Sequence, residues 1–337
     1  MAGEAAAREP ITVGTFCSGT DAPIFALRQA SIPHRHVFSA ETNKHARTFI
    51  QANCPPETLY GDIMTLDLTT VPRVDLFVAG PPCTPWSTMN QRNRVGTTRV
   101  DIRVSVFRRC LDYIATRRPS IAVIENVTSL RQLWGHGTSR ASIWVSEITP
   151  LIEHLTEIYE VGVDTMNPRH YGCPQHRPRM YVILKIRSIT PTSPVTFPEA
   201  VQSTQTYFDL LSTDVHFPLT ERCERLILKA HSKYGSTWRP GIANAHQLGL
   251  CMVASTVPFR EFSRCIIASC RSFVYDNERM RFLTNEESFR LQGFISPILP
   301  SNISNRQLNI LCGNAMNVCV LEHVFKKVIL DLDRVLL

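Results

Sequence analysis

Long apolar runs are missing from this chain. No stretch approaches the roughly 18 consecutive apolar residues of a membrane span, and the opening MAGEAAAREPI has no basic segment followed by an apolar one. The expectation is a protein that is neither secreted nor membrane-embedded. Metal-type spacing is missing too: eleven cysteines are scattered from Cys17 to Cys319 without a Cys-x-x-Cys pair or accompanying histidine pairs. No metal site and no disulfide framework are therefore expected, and the thiols read as reduced and intracellular. There is no internal repeat, no low-complexity segment and no Gly-x-Gly-x-x-Gly loop, which sets aside solenoids and hydride transfer on a dinucleotide. With 44% hydrophobic and 19% charged residues, disordered and fibrous classes are excluded. The 337 residues suffice for one large α/β domain with a smaller appendage.

The net charge of +7 is unevenly placed. Between Thr84 and Ser120 eight arginines (Arg92, Arg94, Arg99, Arg103, Arg108, Arg109, Arg117, Arg118) face only Asp101 and Asp112, a local surplus of +6. A second run from Pro168 to Arg187 carries Arg169, Arg177, Arg179, Lys185 and Arg187 without an acid. A solvated face is the ordinary explanation of a charge run. The preference for arginine, whose planar fork fits phosphate oxygens, points instead towards a polyanion.

Nearly continuous apolar runs at 11–16, 36–41, 74–80, 121–126 and 180–186 predict strands, and helices are expected near 22–31, 43–52, 102–117 and 141–157. That alternation predicts a doubly wound, mostly parallel α/β sheet covered on both faces. Ligands bind outside the carboxyl ends of strands in such sheets. Four of those ends carry unusual polar residues: Cys17 to Asp21, Glu41, Gly80 to Ser87, and Glu125-Asn126. From about 188 to 280 the rhythm gives way to irregular, Pro-, Ser- and Thr-rich sequence, read as a second, smaller domain. Beyond it, 283–294 predicts a helix with Thr284 as N-cap and Glu287 completing a capping box, and a last helix is expected over about 315–330.

Two of the strand ends carry chemistry. Gly80-Pro81-Pro82-Cys83 follows a buried strand, and its prolines make a rigid loop that can aim a cysteine nucleophile. Arginines nearby favour the thiolate. Glu125 ends a strand that is otherwise wholly apolar, and an unpaired buried carboxylate is too expensive to be an accident of packing.

With these residues the sequence resembles the cytosine carbon-5 DNA methyltransferases, which use S-adenosylmethionine. The blocks stand in the family's order over nearly the whole chain: Pro81-Pro82-Cys83, Glu125-Asn126-Val127, Gln175-His176-Arg177-Pro178-Arg179, Arg281 to Phe294, and Gly313-Asn314-Ala315. The resemblance implies a Rossmann-like catalytic domain over 1–187 plus 281–337 and a target-recognition domain over 188–280. It implies that Cys83 adds to carbon-6 of a flipped cytosine while Glu125 holds ring nitrogen 3. Arg179 would hold the cytosine carbonyl, and Arg177 would support the closed loop and the DNA phosphates.

The same resemblance assigns the methyl donor to Phe16, Cys17, Ser18, Gly19, Glu41, Asp62, Ile63, Pro81, Asn314 and Ala315, with Glu41 on ribose hydroxyls and Asp62 on the adenine amino group. The first loop departs from the family's Phe-x-Gly-x-Gly: Cys17 stands where the adenine-stacking aromatic lies, Phe16 is one residue early, and Asp21 takes the place of the second glycine. The implied partner is double-stranded DNA, met by a monomer wherever the genome lies: nucleus in a eukaryote, cytoplasm in a prokaryote. Two alternatives stand beside it. A transfer-RNA methyltransferase would carry a Cys-Phe-Thr segment in the recognition region, which is absent. A silent DNA-binding relative would have no need of the combined cysteine, glutamate and arginines.

Overall fold

The computed structural model describes residues 9–82, 102–131, 148–188, 194–201, 205–212 and 280–336, with shorter pieces of 218–275. The chain divides into two compact units. One comprises Met1–Met166, Pro178–Pro198 and Leu321–Leu337, the other Asn167–Arg177 and Glu199–Val320.

In chain order the strands are β1 (Ile11–Phe16), β2 (His34–Ala40), β3 (Thr58–Tyr60), β4 (Leu76–Ala79), β5 (Ile121–Val127), β6 (Tyr159–Met166), β7 (Gln175–His176) and β8 (Arg179–Ile186). The helices among them are α1 (Ala22–Gln29), α2 (Lys44–Asn53), α3 (Ile102–Arg117) and α4 (Thr149–Ile158). All but β7 belong to the first unit, whose seven-stranded sheet has the order β3-β2-β1-β4-β5-β8-β6. The five strands from β3 to β5 are parallel, and β4 is buried at all four positions. That is the behaviour of strands covered on both faces. The order reverses at β1, so the connections from β1 and β4 leave in opposite directions and open a crevice at their carboxyl ends.

Strand β8, expected among parallel neighbours, runs antiparallel to both β5 and β6. The twelve residues 167–178 between β6 and β8 hold a 3-10 turn and β7 rather than a helix, the usual crossover of a parallel return. Strand β6 escaped the sequence reading because six of its eight residues are only half-buried, so its apolar signal is weak.

An aromatic cluster fills the sheet beneath the crevice. The ring of Phe16 lies 5.7 Å from Phe38, 5.2 Å from Phe77 and 5.0 Å from Tyr113, and the four rings are fully buried. Gly14 makes room for it: a Cβ there would lie 2.1 Å from the Phe38 ring.

The second unit holds a parallel pair of β7 with β10 (Ser263–Arg264), an antiparallel sheet of β9 (Gly241–Asn244), β11 (Ser272–Tyr275) and β12 (Met280–Phe282), and helices α5 (Asn285–Leu291) and α6 (Asn305–Asn314). Helix α7 (Val318–Leu336) begins in it. The stretch Asn305–Ile329 is long and apolar enough to cross a membrane, but 72% of its apolar window is buried inside the protein, as in a core helix. The capping box is formed: Thr284 Oγ1 accepts from Glu287 N at 3.0 Å and Glu287 Oε2 from Thr284 N at 2.8 Å. Glu287 also pairs with Arg281 through contacts of 2.8 and 2.9 Å. Burial alone would raise its pKa, but Arg281 and the amides of Thr284 and Ser212 outweigh that and hold it below the usual carboxylate value.

This unit takes in residues on both sides of 188–280, and Arg177 explains why. Its guanidinium, 4% exposed, donates to the carbonyls of Ile266, Gly313 and Ala315 at 2.8, 3.0 and 2.9 Å. Cys173 Sγ and Gln175 Nε2 both donate to Leu291 O, at 3.0 and 2.7 Å.

Two stability measurements follow from these clasps. Glu287→Ala strands a buried arginine and is expected to cost about 3–5 kcal/mol in urea unfolding; a loss below about 1 kcal/mol would contradict that. Since the carboxyl of Glu287 titrates lower folded than unfolded, its contribution is complete above the unfolded carboxylate pKa and lost as pH falls through the folded one. Arg177→Met leaves three buried carbonyls without their donor and is expected to cost about 3 kcal/mol or more, whereas an unchanged melting temperature would rule out the clasp.

Candidate active site

The loop after β1 makes its turn with non-glycine residues. Cys17 and Asp21 sit at φ 52° and 51°, either side of Gly19 at 58°. This left-handed region disfavours side chains other than those of Asn and Asp. Phe16 points the other way, into the aromatic cluster, and is a core residue rather than a wall of the loop. The alternation of side chains along a strand sets that direction, and it brings half-buried Cys17 to the loop instead. A hydrogen bond to Cys17, with burial, holds the Cys110 thiol well above its ordinary pKa.

Asp21 is the N-cap residue of α1, yet its side chain makes no capping bond. It turns inward, where it accepts from Thr15 Oγ1 at 2.6 Å and its Oδ2 lies 2.5 Å from Ser39 Oγ. Burial pushes its carboxyl up to about 7. Ser18 ties the loop to β2: its amide donates to Ala40 O at 3.2 Å, and its Oγ accepts from Ala40 N at 3.1 Å. Glu41 closes the turn from the next strand end, accepting from Gly19 N at 2.7 Å and Asn43 N at 2.8 Å. Thus Cys17, Ser18, Gly19 and Glu41 come together at the adjacent ends of β1 and β2.

Asp62 is exposed and caps a short turn over Ile63–Thr65, accepting from Met64 N at 2.9 Å, while Ile63 is buried beneath it. Pro81, also buried, receives Asn126 Nδ2 on its carbonyl at 3.0 Å. That bond links the Pro81-Pro82 loop to the end of β5. Cys83 lies outside the described residues. Glu125 and Arg179 meet: Nε lies 3.5 Å from Oε1, with side chains 20% and 12% exposed for arginine and glutamate respectively. Arg179 stands opposite Val127 on β8, two residues along from Glu125, so both side chains share one face of the sheet.

Three assigned residues sit in the second unit. Asn314 is exposed at the end of α6, and Ala315 is buried with its carbonyl on Arg177. Arg177 itself is spent on backbone carbonyls, so its expected role at the loop and the phosphates is corrected to that of a buried clasp. The arginine run needs a similar correction. Arg109 donates from Nε to Ile63 O at 3.2 Å and also to Leu66 O, and Arg117 donates to Thr69 O at 3.1 Å, fastening α3 to the 63–69 segment. Arg92, Arg94 and Arg99 lie outside the described residues. Spacing alone could not separate arginines that brace a helix from those that face a ligand.

The edge suits a ligand that brings hydroxyl and amino groups. Glu41 and Asp62 supply acceptors, and the loop also holds Thr20, whose hydroxyl is buried and unpartnered among the described residues. An orphaned buried hydroxyl is costly unless something else completes it. Among the described residues no group of His, Cys, Asp and Glu could hold a metal ion.

The family model described as C-5 cytosine-specific DNA methylase matches residues 11–330. The chain is 27% identical over 296 residues to the type II methyltransferase M.NgoBI of Neisseria gonorrhoeae, covering 85% of this chain and 84% of that one. It is 26% identical over 303 residues to M.DsaV of Dactylococcopsis salina, covering 88% and 80%. Among solved structures, a DNMT2 mutant from Spodoptera frugiperda superposes with a TM-score of 0.69 at 17% identity, covering 95% and 99% of the two chains. Dnmt2 of S. pombe gives 0.67 at 20% identity, covering 96% and 99%; at such identities these neighbours speak for the fold alone. With the family model spanning both units, the chain belongs to the C-5 cytosine-specific DNA methylases, a family of S-adenosylmethionine-dependent enzymes.

Proposed function

We propose that this chain methylates carbon-5 of cytosine in double-stranded DNA, with Cys83 as nucleophile and Glu125 and Arg179 as the groups that hold the base. The observation that carries the reading is the pairing of Glu125 with Arg179 at the end of β5, bonded through the neighbouring Asn126 to the loop that leads into Cys83. S-adenosylmethionine, when bound, supplies a methyl group on a sulfonium centre. Cys17, Ser18, Gly19 and Glu41 at the joined ends of β1 and β2, with Asp62 and Ile63, would hold it. Thr20 joins them on the strength of its orphaned hydroxyl.

Carbon-5 of cytosine is a poor nucleophile. Addition of the Cys83 thiolate to carbon-6 breaks the ring's aromaticity and makes carbon-5 an enamine carbon. Glu125, donating a proton to ring nitrogen 3, stabilises the charge that the addition pushes there. Arg179, oriented by its ion pair, holds the exocyclic carbonyl oxygen. After carbon-5 has taken the methyl group, ring nitrogen 3 returns its proton to Glu125, and transfer of the carbon-5 proton to solvent with expulsion of Cys83 as thiolate restores the ring. Both faces of the base must be reached, which requires it to leave the duplex. Type II methyltransferase relatives from bacteria support a setting beside the genome.

Transfer of labelled methyl groups to duplex DNA tests this. Cys83→Ser is expected to abolish turnover and Glu125→Gln to slow it by about 10²–10⁴-fold while cofactor binding persists. Undiminished turnover in Cys83→Ser would refute the reading.

A further inference from the structure

Two placements of one proton close the hydrogen bonds beneath the β1 loop, where His36 Nε2 also lies 3.7 Å from Asp21 Oδ2. His36 Nδ1 lies 2.9 Å from Cys54 O, and a carbonyl only accepts, so that nitrogen carries hydrogen. In a neutral ring Nε2 is then an acceptor, and Ser39, 2.8 Å away, must donate to it. Ser39 has one hydrogen. Its 2.5 Å contact with Asp21 Oδ2 therefore needs a proton on Asp21. The other closure has Asp21 ionised and His36 doubly protonated. Either way the pair holds one proton between them.

Full burial of Asp21 favours the neutral arrangement. The chain continues towards the loop: Thr15 Oγ1 donates to Asp21 Oδ1 and lies 2.6 Å from Ser18 Oγ, whose hydroxyl is also 3.2 Å from the carbonyls of Thr15 and Ala40. An unbroken line of hydrogen bonds thus joins loop residue Ser18 to Cys54 at the end of α2.

We propose that Asp21 is a positioning residue for the methyl donor: it and His36 share one proton through Ser39, and this buried relay shapes the Cys17–Asp21 loop where the family uses a second glycine. The inference rests on the methyl-donor reading of that loop. Other groups act on the relay from the elements around it. Glu41 raises Asp21, Arg28 of α1 and His34 of β2 lower His36, and burial, with Asp21 adding to it, raises Cys54. Burial also takes His36 down to about 4, so the neutral arrangement spans roughly pH 4 to 7. Above that range the shared proton leaves. Ser39 cannot then donate to both partners, and one contact becomes lone pair against lone pair.

The test is calorimetry with S-adenosylhomocysteine across that boundary, together with NMR of the free protein. Affinity of the wild type is expected to fall above a midpoint near 7, approaching tenfold per pH unit. In Asp21→Asn the amide donates permanently to Ser39 and its oxygen still accepts from Thr15, so this variant is expected to bind without that pH dependence. Asp21→Ala is expected to bind at least about tenfold more weakly at every pH, as one donor and one acceptor lose their partner. A pH profile in Asp21→Asn matching the wild type would overturn the proposal. In the free wild type the Gly19 amide resonance is expected to titrate together with the Asp21 carboxyl carbon. A static Gly19 would overturn the proposal whatever binds. Absence of binding by the wild type at any pH, with Gly19 titrating, would instead refute the methyl-donor reading and leave the relay standing.

Discussion

Phe16 is the pin of the catalytic edge. Its ring is enclosed by Phe38 from β2, Phe77 from β4 and Tyr113 from α3, and its carbonyl receives the amide of Gly80 at 3.4 Å. One buried phenyl group, worth about 1.5–3 kcal/mol by burial alone, therefore holds together the strands on either side of the topological reversal. Everything polar at the edge is placed relative to it. The next residue must leave the sheet, so the chain enters its left-handed turn at Cys17, and the loop after β4 departs beside it.

The loop itself shows what a changed residue demands of its surroundings. A glycine at position 21 would need nothing, whereas an aspartate carries a carboxyl that must be buried, bonded or solvated. Here it is buried at an N-cap position where a bond to the helix amides would be usual, and it is satisfied by two hydroxyls from β1 and β2 instead. Thr15 and Ser39 meet that carboxyl, and Ser39 also meets His36. Strands that read as plain apolar runs thus carry a polar seam beneath the site.

How much of this was legible depended on whether the signal was local. The strands read at 11–16 and 121–126, the helix at 102–117 and the capping box at Thr284 and Glu287 are written in consecutive residues, and they formed, the second strand running on to Val127. The antiparallel course of β8 goes with a connection from β6 that holds no helix, and β6 had too little apolar signal to be found. Glu125 and Arg179 could be named from their motifs, but that they meet on one sheet face is a matter of register. Arg177 was misassigned because motif spacing does not tell a guanidinium facing a ligand from one closed over three carbonyls far away in sequence. Phe16 was misassigned by one step of strand alternation, which reverses where a side chain points.

The central claim is that a cysteine after the Pro81-Pro82 turn attacks a cytosine held at the edge of this sheet. Duplex DNA in which 5-fluorocytosine replaces cytosine tests it most directly, because fluorine cannot leave carbon-5 as the proton does and the last elimination is blocked. After incubation with protein and S-adenosylmethionine, denaturing mass spectrometry is expected to find a covalent protein–DNA adduct that carries the transferred methyl group and maps to Cys83. A folded protein that binds this DNA and the methyl donor yet forms no adduct, or forms one at another residue, would contradict the account.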